Sequence, residues 1–114
     1  MKIHDDRLLF IGSILTRYSS SSFSLNLLFP GGVLAHAFAP RDGRVHMDND
    51  ERWVFHDTNG AELEVVLTHE LGHALGLSHS TVRGSIMAPF YIPYRENFEL
   101  HIDDIAGMQY LYGK

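Results

Sequence analysis

The chain has no cysteine among its 114 residues, so neither a disulfide framework nor a thiolate metal site is open to it. Any metal it holds must be held by histidine and carboxylate. It has no cluster of Lys or Arg, and with a formal charge of -5 it lacks the basic patch that a nucleic-acid partner demands. No apolar run approaches the roughly 18 residues that would span a bilayer. What remains, 45% hydrophobic content in 114 residues, fits one small globular domain with one core and a thin stability margin.

Histidine is what the chain has in excess, and three of the 8 fall in "THELGHALGLSHS", residues 68–80, with Glu70 and two glycines. On a helix, His69 and His73 stand one above the other on one face, with Glu70 at its border. A continuous helix would carry His79 away from them. Gly76 can take the left-handed conformation that ends a helix, which lets His79 return. Three neutral imidazoles with a fourth position left to water form the donor set of a catalytic zinc, whereas a structural zinc takes four protein ligands. The alternative is a set of helix histidines in a histidine-rich chain. The full spacing H-E-x-x-H-x-x-G-x-x-H, with Met87 of "SIMAPFY" following as a Met-turn, favours the metal and is the metzincin signature.

The remaining pattern supplies coarse elements. "FSLNL" (23–27) alternates as a strand, Pro30-Gly31-Gly32 reads as a turn, and "VLAHAF" (33–38) as a strand with Leu34, His36 and Phe38 on one face. "RVHMD" is a further short strand. Asn59 and Glu62 resemble a capping box ahead of Leu63, Leu67 and Leu71, which predicts the zinc-binding helix over 61–75. A last helix is predicted over 103–112, with Ile105, Met108 and Tyr112 on one stripe and Gly113 as its stop. Strands followed by helix, loop and helix make an α+β layout. At the start, Leu8 to Leu15 has the length of a signal-peptide core. Asp5 and Asp6 spoil the basic leader, however, and the stretch reads instead as a short strand and serine-rich loop.

"GGVLAHAFAP", "VHMDNDERW", "HELGHALGLSHS", "IMAPFY" and "DDIAGMQYLYG" together resemble the second part of a matrix metalloproteinase (matrixin) catalytic domain. The resemblance covers residues 31 to 113, and Ser80, Pro89 and Tyr91 are more typical of matrixins than of other metzincins. It implies a metzincin-like zincin fold: strands, a zinc-binding helix, a Met-turn and a C-terminal helix. The upstream part of the sheet and the first helix would be missing, so residues 1–30 form an atypical segment ahead of a peptidase region over 31–114. His69, His73 and His79 would hold the catalytic zinc over Met87, and Glu70 would be the general base toward a zinc-bound water. A peptide would lie as an added strand against residues including Leu34 and Ala35, at the sheet's edge, with Pro89 to Tyr91 walling a pocket.

Further implications are a second zinc at His36 and His46, and calcium at Asp48 and Glu51. The other two ligands of that second zinc are an upstream histidine and aspartate, and "RYSSSSFSLNLLFP" contains neither. His4, His56 and His101 read as ordinary surface histidines. The resemblance implies a secreted protein of the extracellular matrix, whose expected activity is zinc-dependent hydrolysis of peptide bonds in extracellular matrix proteins. The alternative is a truncated zinc-binding remnant of weak or no activity.

Overall fold

The computed structural model describes residues 22–26, 33–91 and 96–113, for 22–26 and 33 the backbone alone. The signal-like stretch, His4 and the turn expected at Pro30 lie outside these residues. Among the described residues five strands precede two helices: β1 (Ser22–Asn26), β2 (Val33–Phe38), β3 (Val45–Met47), β4 (Trp53–Val54), β5 (Ala61–Glu62), α1 (Leu63–Ala74) and α2 (Ile102–Tyr112). The architecture is α+β, as the order of periodicities predicts.

β1, β2 and β3 form one antiparallel sheet in that order, with Ser24 opposite His36 on one side of β2 and His46 opposite His36 on the other. This corrects the expectation that β2 is an edge. Its backbone is paired on both sides, because the alternating "SFSLN" segment supplies a strand that lies antiparallel along it. β4 and β5, which the sequence pattern did not predict, make a two-residue parallel pair.

That short pair also moves the start of α1. Ala61 and Glu62 are extended by pairing with Trp53 and Val54, so the helix begins at Leu63 and Glu62 caps it, its carboxylate accepting the Val65 N–H at 3.2 Å. Asn59 takes no part in the cap; its N–H donates to the Asp57 carboxylate. The buried face of α1 carries Val65, Val66, His69, Glu70, Gly72 and His73, while Leu67 and Leu71 are exposed. The leucine spacing therefore marks the outer face of the helix.

β2 and α1 pack around a core of Leu34, Ala35, Ala61, Val65, Val66, Leu77, Ile86, Met87 and Tyr91, flanked by Met47, Trp53, Phe98, Met108 and Leu111. α2 begins with a capping box in which His101 Nδ1 accepts the Asp103 N–H and Asp104 accepts the His101 N–H. His101 is thus a cap, which the surface reading missed. On α2 the buried residues are Asp103, Asp104 and Gly107, whereas Ile105 and Tyr112 of the expected stripe are exposed. Buried carboxylates must meet polar partners, and these meet the hydroxyls of Ser80 and Ser85 and the backbone N–H of Ile86. Among the described residues no helix is long and apolar enough to cross a membrane.

Candidate metal centre

The chain turn after α1 brings the third histidine round. Gly76 stands at φ 113° and its N–H donates to the His73 carbonyl at 3.0 Å, while the Leu77 N–H donates to Gly72 at 2.8 Å. These two bonds are a Schellman cap. The chain thereby reverses within three residues, and the ligand atoms of His69, His73 and His79 all lie within 4.8 Å of one another.

Two of the rings are held by carbonyl groups. His69 Nδ1 donates to the Ile86 carbonyl at 2.6 Å and His73 Nδ1 to the Leu77 carbonyl at 2.7 Å. With both Nδ1 atoms committed as donors, the neutral rings present lone pairs at Nε2. Those two Nε2 atoms stand 3.0 Å apart. Facing lone pairs repel unless a cation or an extra proton lies between them, and burial drives the His69 pKa down to about 4, against the proton. The His79 charge adds to that fall, while the bond to Ile86 opposes it. A tetrahedral zinc with bonds of about 2.0–2.1 Å would set such nitrogens roughly 3.3 Å apart, so the donors present fit zinc in kind and spacing.

Glu70 lies beside this cluster with no exposed surface, and neither carboxyl oxygen has a hydrogen-bond partner among the described residues. Burial alone pushes its pKa up to about 8. A buried carboxyl left without a bond is costly, and a cation or a polar ligand beside it removes the cost.

Met87 is fully buried against Gly72 of α1. A Cβ added to Gly72 would come within 2.3 Å of its sulfur, so the "ELGH" glycine makes room for the Met-turn. Ser80 locks the loop, its N–H donating to the Met87 carbonyl at 2.8 Å and its hydroxyl to Asp103 at 2.8 Å. Tyr91 is buried, and its hydroxyl oxygen accepts the Glu62 N–H at 2.8 Å, which ties the segment after the Met-turn to the start of α1. Pro89 lines a groove of about 530 Å³ together with Ser80, Val82, Arg83, Ala88 and Phe90. Leu34 and Ala35 are buried within the middle strand.

The secondary sites are less complete. His46 Nδ1 and His36 Nε2 lie 3.0 Å apart across β2 and β3, but among the described residues no third His, Asp or Glu joins them in a metal-holding group. Asp48 and Glu51 are not brought together in such a group either. Asp48 instead shapes its own turn: its carboxylate accepts the Asp50 N–H at 2.9 Å and its carbonyl accepts the Trp53 indole N–H at 2.8 Å. His56, set aside as a surface residue, pairs with Glu64 at 2.9 Å and stacks on Phe55.

Comparison with known proteins adds to this geometry. The matrixin family model matches residues 17–113. Human matrix metalloproteinase-19 is 48% identical over 110 residues, which are 96% of this chain and 21% of that protein. The hatching enzyme of Paracentrotus lividus is 54% identical over 83 residues, 73% of this chain and 14% of that one. Mouse matrilysin is 51% identical over 89 residues, 75% and 34% respectively. The chain thus spans between 14% and 34% of the length of these relatives.

Proposed function

The chain belongs to the matrixin family, and from that premise we propose that it carries the zinc-holding, peptide-cleaving part of a metalloendopeptidase. The observation that supports this most is the facing pair of Nε2 atoms on His69 and His73, with His79 completing a three-nitrogen set. His69, His73 and His79 would hold the zinc. When bound, zinc supplies Lewis acidity toward a peptide carbonyl and lowers the pKa of water to about 7.

The protein's own groups do the rest. Glu70 takes a proton from the attacking water and passes it to the leaving amine. Burial pushes Glu70 up to about 8, and a zinc held by the neighbouring imidazoles would oppose that push and favour the ionised form a base requires. The carbonyl groups of Ile86 and Leu77 hold His69 and His73 with Nε2 inward. Relatives named metalloproteinase and hatching enzyme favour a protein substrate, which we take to be extracellular matrix protein met outside the cell.

The second reading, a zinc-binding relative of weak activity, is favoured by one observation. β2 is paired on both sides, so a peptide that adds to β2 has to replace β1. One experiment tests both. The full chain is supplied with zinc, analysed for metal, and assayed on a quenched fluorescent peptide beside Glu70→Gln and His73→Ala. The proposal expects one zinc per chain and turnover. Glu70→Gln keeps the zinc and loses roughly 10²- to 10⁴-fold in kcat, the usual worth of a positioned base. His73→Ala loses the zinc. Zinc uptake without turnover in the parent chain selects the second reading, and undiminished turnover in Glu70→Gln rejects the mechanism.

A further inference from the structure

Behind His69 runs a chain of hydrogen bonds that the motif does not contain. The His69 Nδ1–H donates to the carbonyl of Ile86. The N–H of that same peptide group belongs to Met87, and it donates to the Ser85 hydroxyl oxygen at 3.0 Å. The Ser85 hydroxyl in turn donates to Asp104 Oδ1. Asp104 is 2% exposed, and its other oxygen accepts the N–H groups of Ile86 and His101, each at 2.9 Å.

We propose that Asp104 and Ser85 are positioning residues for His69, a carboxylate, hydroxyl and peptide relay from α2 that fixes the ring's tautomer and makes its Nε2 a stronger electron donor. Hydrogen bonds in such a chain strengthen one another. A hydroxyl that donates to a carboxylate is a better acceptor, so it draws harder on the Met87 N–H. A peptide group whose N–H is so engaged carries more negative charge on its carbonyl oxygen. Ile86 O then holds the His69 Nδ1–H more strongly, and an imidazole whose N–H is strongly held is a more basic ligand at its other nitrogen. The short 2.6 Å separation between His69 Nδ1 and Ile86 O accords with that strengthening. Asp104 is thus a carboxylate acting on the histidine through two intermediates, thirty-five residues along the chain.

The inference rests on the zinc reading, and the test separates the two. The full-length chain is labelled with ¹⁵N, saturated with zinc, and observed at the His69 Nδ1–H resonance, while zinc affinity is measured by competition with a chromophoric chelator. Ser85→Ala is expected to move that resonance upfield and to weaken zinc binding by about 10- to 100-fold, the usual cost of losing outer support of a ligand. Ser85→Thr, which keeps the hydroxyl, restores both. Ser80→Ala, which removes a hydroxyl–carboxylate bond to the same helix but not the relay, leaves the resonance in place. If Ser85→Ala does not melt cooperatively with zinc, Asp104→Asn is read by the same two signals, with a smaller shift expected in the same direction. An unmoved resonance with unchanged affinity in the folded variant overturns the relay, and so does failure of both variants to fold, which would make the pair structural. A parent chain that takes up no zinc overturns the zinc reading and the relay with it.

Discussion

Glu70 and His69 are neighbours whose acidities burial moves in opposite directions, Glu70 up to about 8 and His69 down to about 4. For Glu70 the folded value lies above the ordinary 4.5, so its contribution to stability is present below 4.5 and is lost as pH rises toward 8. For His69 the folded value lies below the ordinary 6.5, so the unfolded chain gains the proton first and stability grows from about pH 4 to 6.5. Between 4.5 and 6.5 the two slopes oppose each other; above 6.5 Glu70 acts alone. The chelator-treated chain is therefore expected to melt at a lower temperature at pH 8 than at pH 6.5. Glu70→Gln, which cannot titrate, should remove that difference. Thermal melts by circular dichroism at the two pH values check it, and an equal decline in the variant would place the titration on another group.

At the scale of elements, the site depends on how α1 ends. The Schellman cap at Gly76 lies at φ 113°, a conformation that a side chain makes strained, and His79 follows three residues later. Gly76→Ala is expected to cost roughly 1–3 kcal/mol of stability. It should also weaken zinc binding, because the chain must turn elsewhere and carry His79 with it. Chemical denaturation and zinc competition measure the two effects. A variant that loses stability while holding zinc as tightly as the parent would show that the return of His79 does not depend on this turn. The other end of the site depends on α2, whose first turn spends Asp103 on Ser80 and Asp104 on Ser85 and Ile86. One helix start thus braces both the segment after His79 and the carbonyl that holds His69.

At the scale of the whole molecule, the core among the described residues is small and mixed with polar groups. Glu62, His69, Glu70, His73, Asp103 and Asp104 are all buried, while Leu67, Leu71, Leu75, Leu100 and Ile105 face outward. A domain so constructed has little apolar burial to spare, and a ligand held only by the folded state adds RT ln(1 + [L]/Kd), about 4 kcal/mol at a thousandfold excess over Kd. In a domain of this size each kcal/mol moves the melting temperature by roughly 4–8 °C. Chelation is accordingly expected to lower Tm by on the order of 15 °C or more, or to abolish the cooperative transition. Melting curves with and without chelator, at constant ionic strength, read this directly. A melt that does not change would mean that packing alone sustains the fold.

How much of this was legible follows from the range of the interactions involved. The spacing of His69, His73, Gly76 and His79 is a local matter, since helix pitch and one left-handed residue suffice to bring three rings together, and a sequence displays both. β2 and β3 were readable for the same reason, as their alternation is a property of adjacent residues. Glu62 as the cap of α1 was not, because it depends on β5 pairing with β4. Nor was the middle position of β2, which depends on β1 lying along it. The buried faces of α1 and α2 escaped the leucine and isoleucine stripes because those helices turn glycine, histidine and aspartate inward. His101 read as a surface residue, and Asp104 carried no signal of its own, until the fold set α2 against the Met-turn, with Asp104 bonded to Ile86 eighteen residues away. The sequence alone therefore determined which side chains can gather around a metal. Tertiary structure alone decided what braces them, because a hydrogen bond between distant segments leaves no periodicity in either.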